Sequence, residues 1–376
     1  MLIVTADIGA GHDLPAKLLA EALERRGASA VVVDALGETG GILESAMRTG
    51  AETVLRRLPW LFALQYFFVA TLAPTRELAQ RAGARLASPV IQRLVAQHRP
   101  DVIVSTYPGA TEVLGRMRAA GRLAVPAVSA ITDLAALRYW AHPGIDAHLI
   151  IHAESRAEVA QIAGSSHPIA HARGMVRAAF EDPPAREAAR AALGLDPQTP
   201  LVLVSGGGWG VGRLDEAVDA ALRDPSAPNV ACLCGSNDKL RARLTRRGEP
   251  RLHAVPFTDR MVEWMAAADV LIHSTAGLTM LEAQLCGTHA ISYGWGHGHI
   301  RVNNRAYERF GLAHVAAKRK ELTALLPRLL REERPRHDPP YASLPAAADV
   351  VLAASGSAPQ STATSPTTIQ TPPPGV

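Results

Sequence analysis

Three stretches of the chain carry residue types suited to a charged, hydroxyl-rich ligand. The most specific is Ser274-Thr275-Ala276-Gly277-Leu278-Thr279-Met280-Leu281-Glu282-Ala283. An apolar run, Val270–His273, leads into small hydroxyl and glycine residues and then into a helical pattern. Such a junction turns free backbone amides and the positive end of a helix dipole toward a diphosphate, worth about 0.3–1 kcal/mol per charge. Glu282 falls about one turn inside that helix, where its carboxylate could accept both hydroxyls of a ribose. An ordinary capped helix bearing a surface glutamate fits the same letters. The second stretch is Ser205-Gly206-Gly207-Gly208-Trp209-Gly210, directly after the apolar Leu201–Ser205. Around Gly207 and Gly208 the backbone can approach a ligand closely and leave amides open to an anion. No Gly-Lys-Ser/Thr follows, so it is not a Walker loop. The third is Gly9-Ala10-Gly11-His12, after Leu2–Thr5. It imitates a dinucleotide fingerprint, with Asp34 where a ribose-binding carboxylate would sit, but the third glycine is replaced by Leu14. A plain tight turn and a small-residue loop presenting His12 at a helix entry both fit; the second is preferred here.

The elements that position these stretches alternate between strand and helix. Leu2–Thr5 precedes the helical pattern Pro15–Arg26, with Gly27 as its C-cap. Val31–Val33, Val102–Ser105, Val128–Thr132 and His148–Ile151 read as further buried strands. After Phe180, Glu181-Asp182-Pro183-Pro184 has a linker's composition, and the pattern restarts with Leu201–Ser205, Ala231–Cys234, Leu252–Val255, Val270–His273 and Ala290–Ser292. The expected fold class is α/β, with two Rossmann-like doubly wound parallel sheets. The expected domains are a first lobe over 1–180, a linker over 181–199, a second lobe with its C-terminal helix over 200–354, and a disordered Ser/Thr/Pro/Gln-rich tail over 355–376.

Composition supports a folded chain of this size. The 376 residues suggest two domains at about 150 residues each, and 48% hydrophobic against 20% charged residues is globular. No basic leader precedes Leu2 and no apolar run reaches about 18 residues, so neither a secretory signal nor a membrane span is expected. Three cysteines, Cys232, Cys234 and Cys286, read as reduced thiols. The net charge of +4 rests on 35 arginines and only four lysines. That bias reflects a GC-rich genome or an attraction to phosphates and anionic lipid. No basic block with interleaved aromatics suggests nucleic acid.

At these residues the chain resembles the GT-B glycosyltransferases of the group that contains monogalactosyldiacylglycerol synthases, processive diacylglycerol glucosyltransferases and the peptidoglycan GlcNAc transferase. The similarity runs to about residue 330. Ala6–His12 resembles the family's N-terminal Gly-Gly-His loop, and the resemblance places Gly9 and Gly11 at the acceptor. Pro100–Ser105 resembles the strand before the acceptor pocket. Ile131-Thr132-Asp133-Leu134, with Trp140, His142 and Pro143 downstream, resembles the Thr-Asp loop. Phe257 resembles the segment cupping uracil, and Ala276–Glu282 (with Gly277, Leu278 and Thr279) the diphosphate and ribose site. Gly298 and Asn303 match a Gly-Gln-Glu segment and its following asparagine, which read sugar hydroxyls; the middle positions here are His299 and Ile300. Where the diacylglycerol-type enzymes carry a histidine five residues after the loop threonine, this chain has Leu137.

The stretch 58–73 holds Trp60, Phe62, Tyr66, Phe67 and Phe68, five of the chain's 17 aromatic residues, flanked by Arg56, Arg57 and Arg76. It fits an amphipathic segment dipping into an anionic membrane surface, and equally a buried helix pair or a dimer contact. The resemblance favours the first, with Trp60, Phe67 and Phe68 reaching a lipid acceptor. It implies inverting transfer of a glucosyl, galactosyl or GlcNAc group from a UDP-sugar to a lipid such as diacylglycerol. His12 and Asp133 are the residues available as base. No Asp-x-Asp pair occurs, so no metal or other cofactor is expected. The expected location is cytoplasmic, peripheral on the inner face of the membrane. A UDP-sugar 2-epimerase, or a homologue that only binds nucleotide, would share the architecture.

Overall fold

The computed structural model describes residues 1–6, 10–34, 37, 68, 71–274, 277–294, 296, 298–335 and 340–356. The sequence-predicted positions Gly9, Trp60, Phe67 and Ala276, most of the segment 58–73, and the tail from residue 357 lie outside the described residues.

The first lobe holds β1 (Leu2–Thr5), β2 (Val31–Asp34), β3 (Ile103–Ser105), β4 (Ala127–Ile131), β5 (Ala147–Ile150) and β6 (Ile169–His171). Its helices are α1 (Ala10–Glu24), α2 (Ala73–His98), α3 (Pro108–Ala119), α4 (Arg156–Ala163) and the short α5 (Ala178–Glu181). The second holds β7 (Leu201–Ser205), β8 (Asn229–Leu233), β9 (Leu252–Val255), β10 (Val270–His273), β11 (His289–Tyr293) and β12 (His314–Ala316). Its helices are α6 (Arg186–Leu193), α7 (Leu214–Leu222), α8 (Asp238–Thr245), α9 (Met261–Ala267), α10 (Leu278–Leu285), α11 (His299–Phe310) and α12 (Arg319–Leu329). The one-turn α13 (Pro340–Ser343) and then α14 (Ala347–Ala354) close the described chain.

Both sheets have six strands, all pairs parallel, in the orders β2-β1-β3-β4-β5-β6 and β12-β11-β10-β7-β8-β9. Their central strands are dominated by buried Val, Leu, Ile and Ala, as burial on both faces requires. The expected α/β class is therefore what forms, and the two strands absent from the sequence reading, β6 and β12, are three-residue edge strands without an apolar run. In each sheet the strand order reverses once, between β1 and β3 and between β7 and β10. A crevice opens at the carboxyl ends of strands at such a reversal, because the two following connections leave in opposite directions. All three chemically suggestive stretches fall at these two points.

Two boundaries differ from the sequence reading. Part of the expected linker is built into the second lobe: α6 packs on α9, and Arg190, 1% exposed, donates to the carbonyls of Ala267, Asp196, Pro197 and Thr199 and to the Asp269 carboxylate at 2.8 Å. Asp269 also accepts from Leu201 N at 2.7 Å, so one buried ion pair ties the segment to the start of β7. The closing helix, expected with the second lobe, returns to the first. It packs on α1, Asp349 pairs with Arg26, and Ala347 N donates to Arg173 O at 2.8 Å. Its apolar face (Ala347, Ala348, Val351, Leu352) continues a core that α1 leaves open.

Arg190→Ala removes a buried donor from four carbonyls and from the Asp269 carboxylate, which keeps Arg186 as its remaining ion-pair partner, and should cost about 3 kcal/mol. Arg241→Ala, at an exposed pair with Asp238, should stay within about 0.5 kcal/mol. Urea unfolding of the two variants checks the contrast.

Candidate active-site cleft

In the first lobe, α1 begins five residues after β1 ends, which puts His12 in its first turn at the reversal point. The ring lies between two aromatic neighbours, Tyr107 at 5.5 Å and Trp140 at 5.7 Å between centroids. Its Nδ1 is buried without a hydrogen-bond partner. Burial holds the imidazole below its usual pKa; Asp133 and a backbone hydrogen bond at Thr106 oppose that, and His299 from the second lobe adds to it. A neutral ring with an open nitrogen is what a general base needs at neutral pH. Asp133 follows β4, and its Oδ2 accepts from Trp140 Nε1 at 3.0 Å. Buried Trp140 therefore lies against His12 and fixes Asp133 at the same time.

Leu137 is fully buried among Ile131, Trp140, Ala141, Ile150 and Val159. Its position faces the hydrophobic core, so its side chain takes no part in the cleft. Two residues the sequence reading missed belong here: the hydroxyls of Thr5 and Thr106, at the ends of β1 and β3, are buried without partners. Their one legible signal is position, since each closes a strand at the reversal point.

In the second lobe the glycine run forms a closed turn after β7. Gly207 (φ 68°) accepts from Gly210 N at 3.0 Å, and Val211 N donates to Gly206 O at 3.1 Å. A side chain at Gly210 would strike the Cys234 carbonyl, whereas Gly208 faces open space. Ser274 Oγ donates to Val211 O at 2.6 Å, joining this loop to the one after β10. There Gly277, in left-handed backbone (φ 89°, ψ −140°), starts α10. Leu278 is buried and Thr279 partly so. Glu282 lies buried one turn in, and no hydrogen bond to its carboxylate occurs among the described residues. Burial pushes its pKa up to about 7, with Arg177 of the first lobe pulling the other way. Phe257, after β9, is 69% exposed. Gly298 (φ 57°) caps α11, whose first residue is His299.

The two halves meet at the strand ends. A side chain at Gly277 would point at the Thr132 carbonyl, 3.8 Å from its Cβ. Tyr307 of α11 donates to Gly277 O at 3.4 Å and meets the His152 ring edge-on at 5.8 Å. Asn303, expected at the donor sugar, is fully buried and bonded to the Asp133 loop instead. The structure thus brings together His12, Asp133, Gly277, Leu278, Glu282, His299 and Asn303. Gly207 and Gly208 stand at the same reversal of the second sheet. Gly11 lies in the first turn of α1, and Phe68 is exposed ahead of α2.

Two facing Rossmann-like lobes with their strand ends turned to one cleft are the GT-B fold. Residues 12–172 match the family model described as monogalactosyldiacylglycerol (MGDG) synthase. Across most of its length the chain is similar to processive diacylglycerol beta-glucosyltransferases. It is 23% identical to that of Bacillus licheniformis over 338 residues (89% of this chain, 87% of the relative), and 24% identical to that of Bacillus subtilis over 342 residues (90% and 88%). Among solved structures, WaaG, a glycosyltransferase involved in lipopolysaccharide biosynthesis, aligns with TM-score 0.53 at 15% identity, covering 93% of this chain and 99% of its own. Arabidopsis thaliana UGT89C1 complexed with quercetin aligns with TM-score 0.58 at 14% identity (88% and 90%). The resemblance read from the motifs is borne out.

The raised pKa of Glu282 predicts a stability effect of definite sign. Its folded value of about 7 exceeds the ordinary 4.5, so the folded state holds a proton the unfolded chain has lost. Stability contributed by this group is full below about pH 4.5 and is lost as pH rises to about 7. Glu282→Gln should flatten the profile in that window, as read by denaturant unfolding at a series of pH values.

Proposed function

We propose that this protein transfers a hexosyl group from a UDP-sugar to a lipid-type acceptor such as diacylglycerol, inverting the anomeric centre without a metal ion. The observation that carries this reading is the convergence of a buried, open-nitrogen histidine on the first lobe with the glycine-opened N-terminus of α10 and the buried Glu282 on the second. In this reading UDP lies on the second lobe. The ribose hydroxyls donate to Glu282 and the diphosphate takes the amides at Gly277–Thr279 and Gly207–Gly208. Phe257 covers the uracil, and Gly298 and His299 border the sugar. The acceptor hydroxyl loses its proton to His12, its oxygen bonds to the anomeric carbon, and the bond to the β-phosphate oxygen breaks, releasing UDP. Asp133, held by Trp140, orients His12 and stabilises the imidazolium that forms. Charge growing on the leaving diphosphate falls on the α10 dipole and the loop amides. Among the described residues no group of three or more His, Cys, Asp or Glu could hold a metal.

The lipid acceptor calls for a membrane-facing surface, and the outer side of α2 supports one. Leu78 and Leu86 are 69% and 75% exposed. They lie on a stripe with Arg81, Ala82, Arg85, Pro89 and Arg93 at helical spacing, bordered by Glu77, which pairs with Arg81 at 2.8 Å. Phe68 and Leu72 are exposed just before the helix. No helix among the described residues is long and apolar enough to cross a membrane. We place the protein peripherally on the inner face of the cell membrane.

UDP-glucose, UDP-galactose and UDP-GlcNAc offered with diacylglycerol vesicles, with products read by mass spectrometry, test the reaction. Glycolipid should form with at least one donor, and turnover should survive EDTA. UDP release only in the absence of lipid, or none at all, would sink the proposal. Glu282→Ala should weaken UDP by about 1.5–3 kcal/mol in calorimetry, since two hydroxyls lose a charged partner. For the surface, vesicle binding should rise with anionic lipid and fall with salt. Phe68→Ser with Leu78→Ser should release the protein from vesicles while UDP affinity stays as in wild type; retained binding would remove this surface from the account.

A further inference from the structure

The loop after β4 carries Asp133, whose carboxylate is held from within the first lobe by Trp140, while the backbone amides of Leu134 and Ala135 are held from the second. Its residues 132–136 form no regular structure, and Ala136 sits in left-handed backbone at φ 67°. A residue with a Cβ in that region costs of order 1 kcal/mol and persists only where its surroundings over-determine it. On one side the determinants are local: Leu137 N donates to Glu158 Oε1 at 2.8 Å, and Ser155 Oγ donates to Leu134 O at 2.9 Å. On the other side the determinant comes from the opposite lobe. Asn303, in the second turn of α11, accepts at Oδ1 from Leu134 N (2.8 Å) and Ala135 N (3.1 Å), and its Nδ2 donates to Ala135 O (3.2 Å) and to His299 O (3.0 Å).

All four hydrogen-bonding positions of a carboxamide are thereby used. The side chain is fully buried and three of its four bonds cross between lobes. An amide so committed has no capacity left to read a sugar hydroxyl while the lobes stand in this arrangement. Its fourth bond reaches the residue that opens α11, so the same group also ties the start of that helix to the acceptor-side loop. Breaking the contact would leave two donors and an acceptor unsatisfied on the loop, and an acceptor and one donor on the side chain, which makes the contact all-or-none.

We infer that Asn303 is a positioning residue: it latches the Asp133 loop of the first lobe to α11 of the second, and so aligns the base of one lobe with the donor held by the other. The inference rests on the reading of the cleft as the place of transfer, and it replaces the assignment of Asn303 to the donor sugar. The latch engages backbone, not a side chain, so it holds whatever residues occupy positions 134 and 135. It touches no substrate and acts through the backbone it holds at Leu134, Ala135 and His299.

The test has a readout that does not depend on activity. Hydrogen exchange of the full chain, resolved to single amides, should show Leu134 and Ala135 losing at least tenfold in protection in Asn303→Ala, while the β7 and β10 amides keep theirs. Asn303→Asp retains an acceptor for both amides and should restore most of that protection; it carries the test if the alanine variant does not fold. In the UDP-sugar assay Asn303→Ala should lower kcat at least tenfold with KM for the UDP-sugar within about threefold, and Asn303→Asp should fall between. Unchanged protection at Leu134 and Ala135 would overturn the latch. So would a KM for the UDP-sugar raised tenfold or more at constant kcat, which would return Asn303 to the sugar. Altered exchange in a protein that transfers no sugar would leave the latch standing and sink the proposed function alone.

Discussion

A parallel sheet offers a ligand an open crevice at one kind of place, where its strand order reverses and consecutive connections diverge. This chain contains two such reversals, and nearly everything functional follows from setting them face to face. His12, in the first turn of the helix after β1, and Thr106, after β3, stand at one reversal; the glycine turn after β7 and Gly277 after β10 stand at the other. The close approach of Gly277 to the Thr132 carbonyl means that the lobes meet at their strand ends, where free amides and strand-terminal side chains concentrate.

Meeting there removes water from charged groups, and the two principal titrating residues respond in opposite senses for the same reason. Burial disfavours the ionised form of each, so the His12 imidazole is held down and the Glu282 carboxyl is pushed up to about 7. The imidazole is thereby held in its neutral form, while the carboxyl keeps a substantial ionised fraction near pH 7 and can still accept hydroxyls. Neither shift requires a dedicated charge partner. The lobes are held in register by buried polar contacts instead: the Asn303 carboxamide, the Tyr307 hydroxyl on Gly277, and the Tyr307–His152 ring pair. Such contacts contribute modestly to stability but are demanding in geometry, which suits an interface that must align two substrates.

The return of α14 to the first lobe binds the ends of the described chain together. Arg26–Asp349 and the Arg173–Ala347 backbone bond make the first lobe dependent on residues beyond the second. The Arg190–Asp269 pair does the converse for the second lobe, drawing part of the apparent linker into it.

The sequence by itself determined the sheet strands and the loops that follow them. Period and composition are local properties, and runs such as Leu201–Ser205 and Val270–His273 can be buried on both faces in only one way. Glycine at 277 and 210 was likewise legible, because left-handed backbone or close approach leaves no alternative residue. What tertiary structure decided were the relations between distant segments. Nothing in the letters around Asn303 says that it bonds the backbone of Leu134 and Ala135, 168 to 169 residues away. Equally silent are the letters of Ala347–Ala354 about the lobe they cover, and those of Leu137 about facing the core rather than the cleft. The three-residue edge strands β6 and β12 escaped for a related reason: their pairing is supplied by a neighbour already in place, not by any preference of their own.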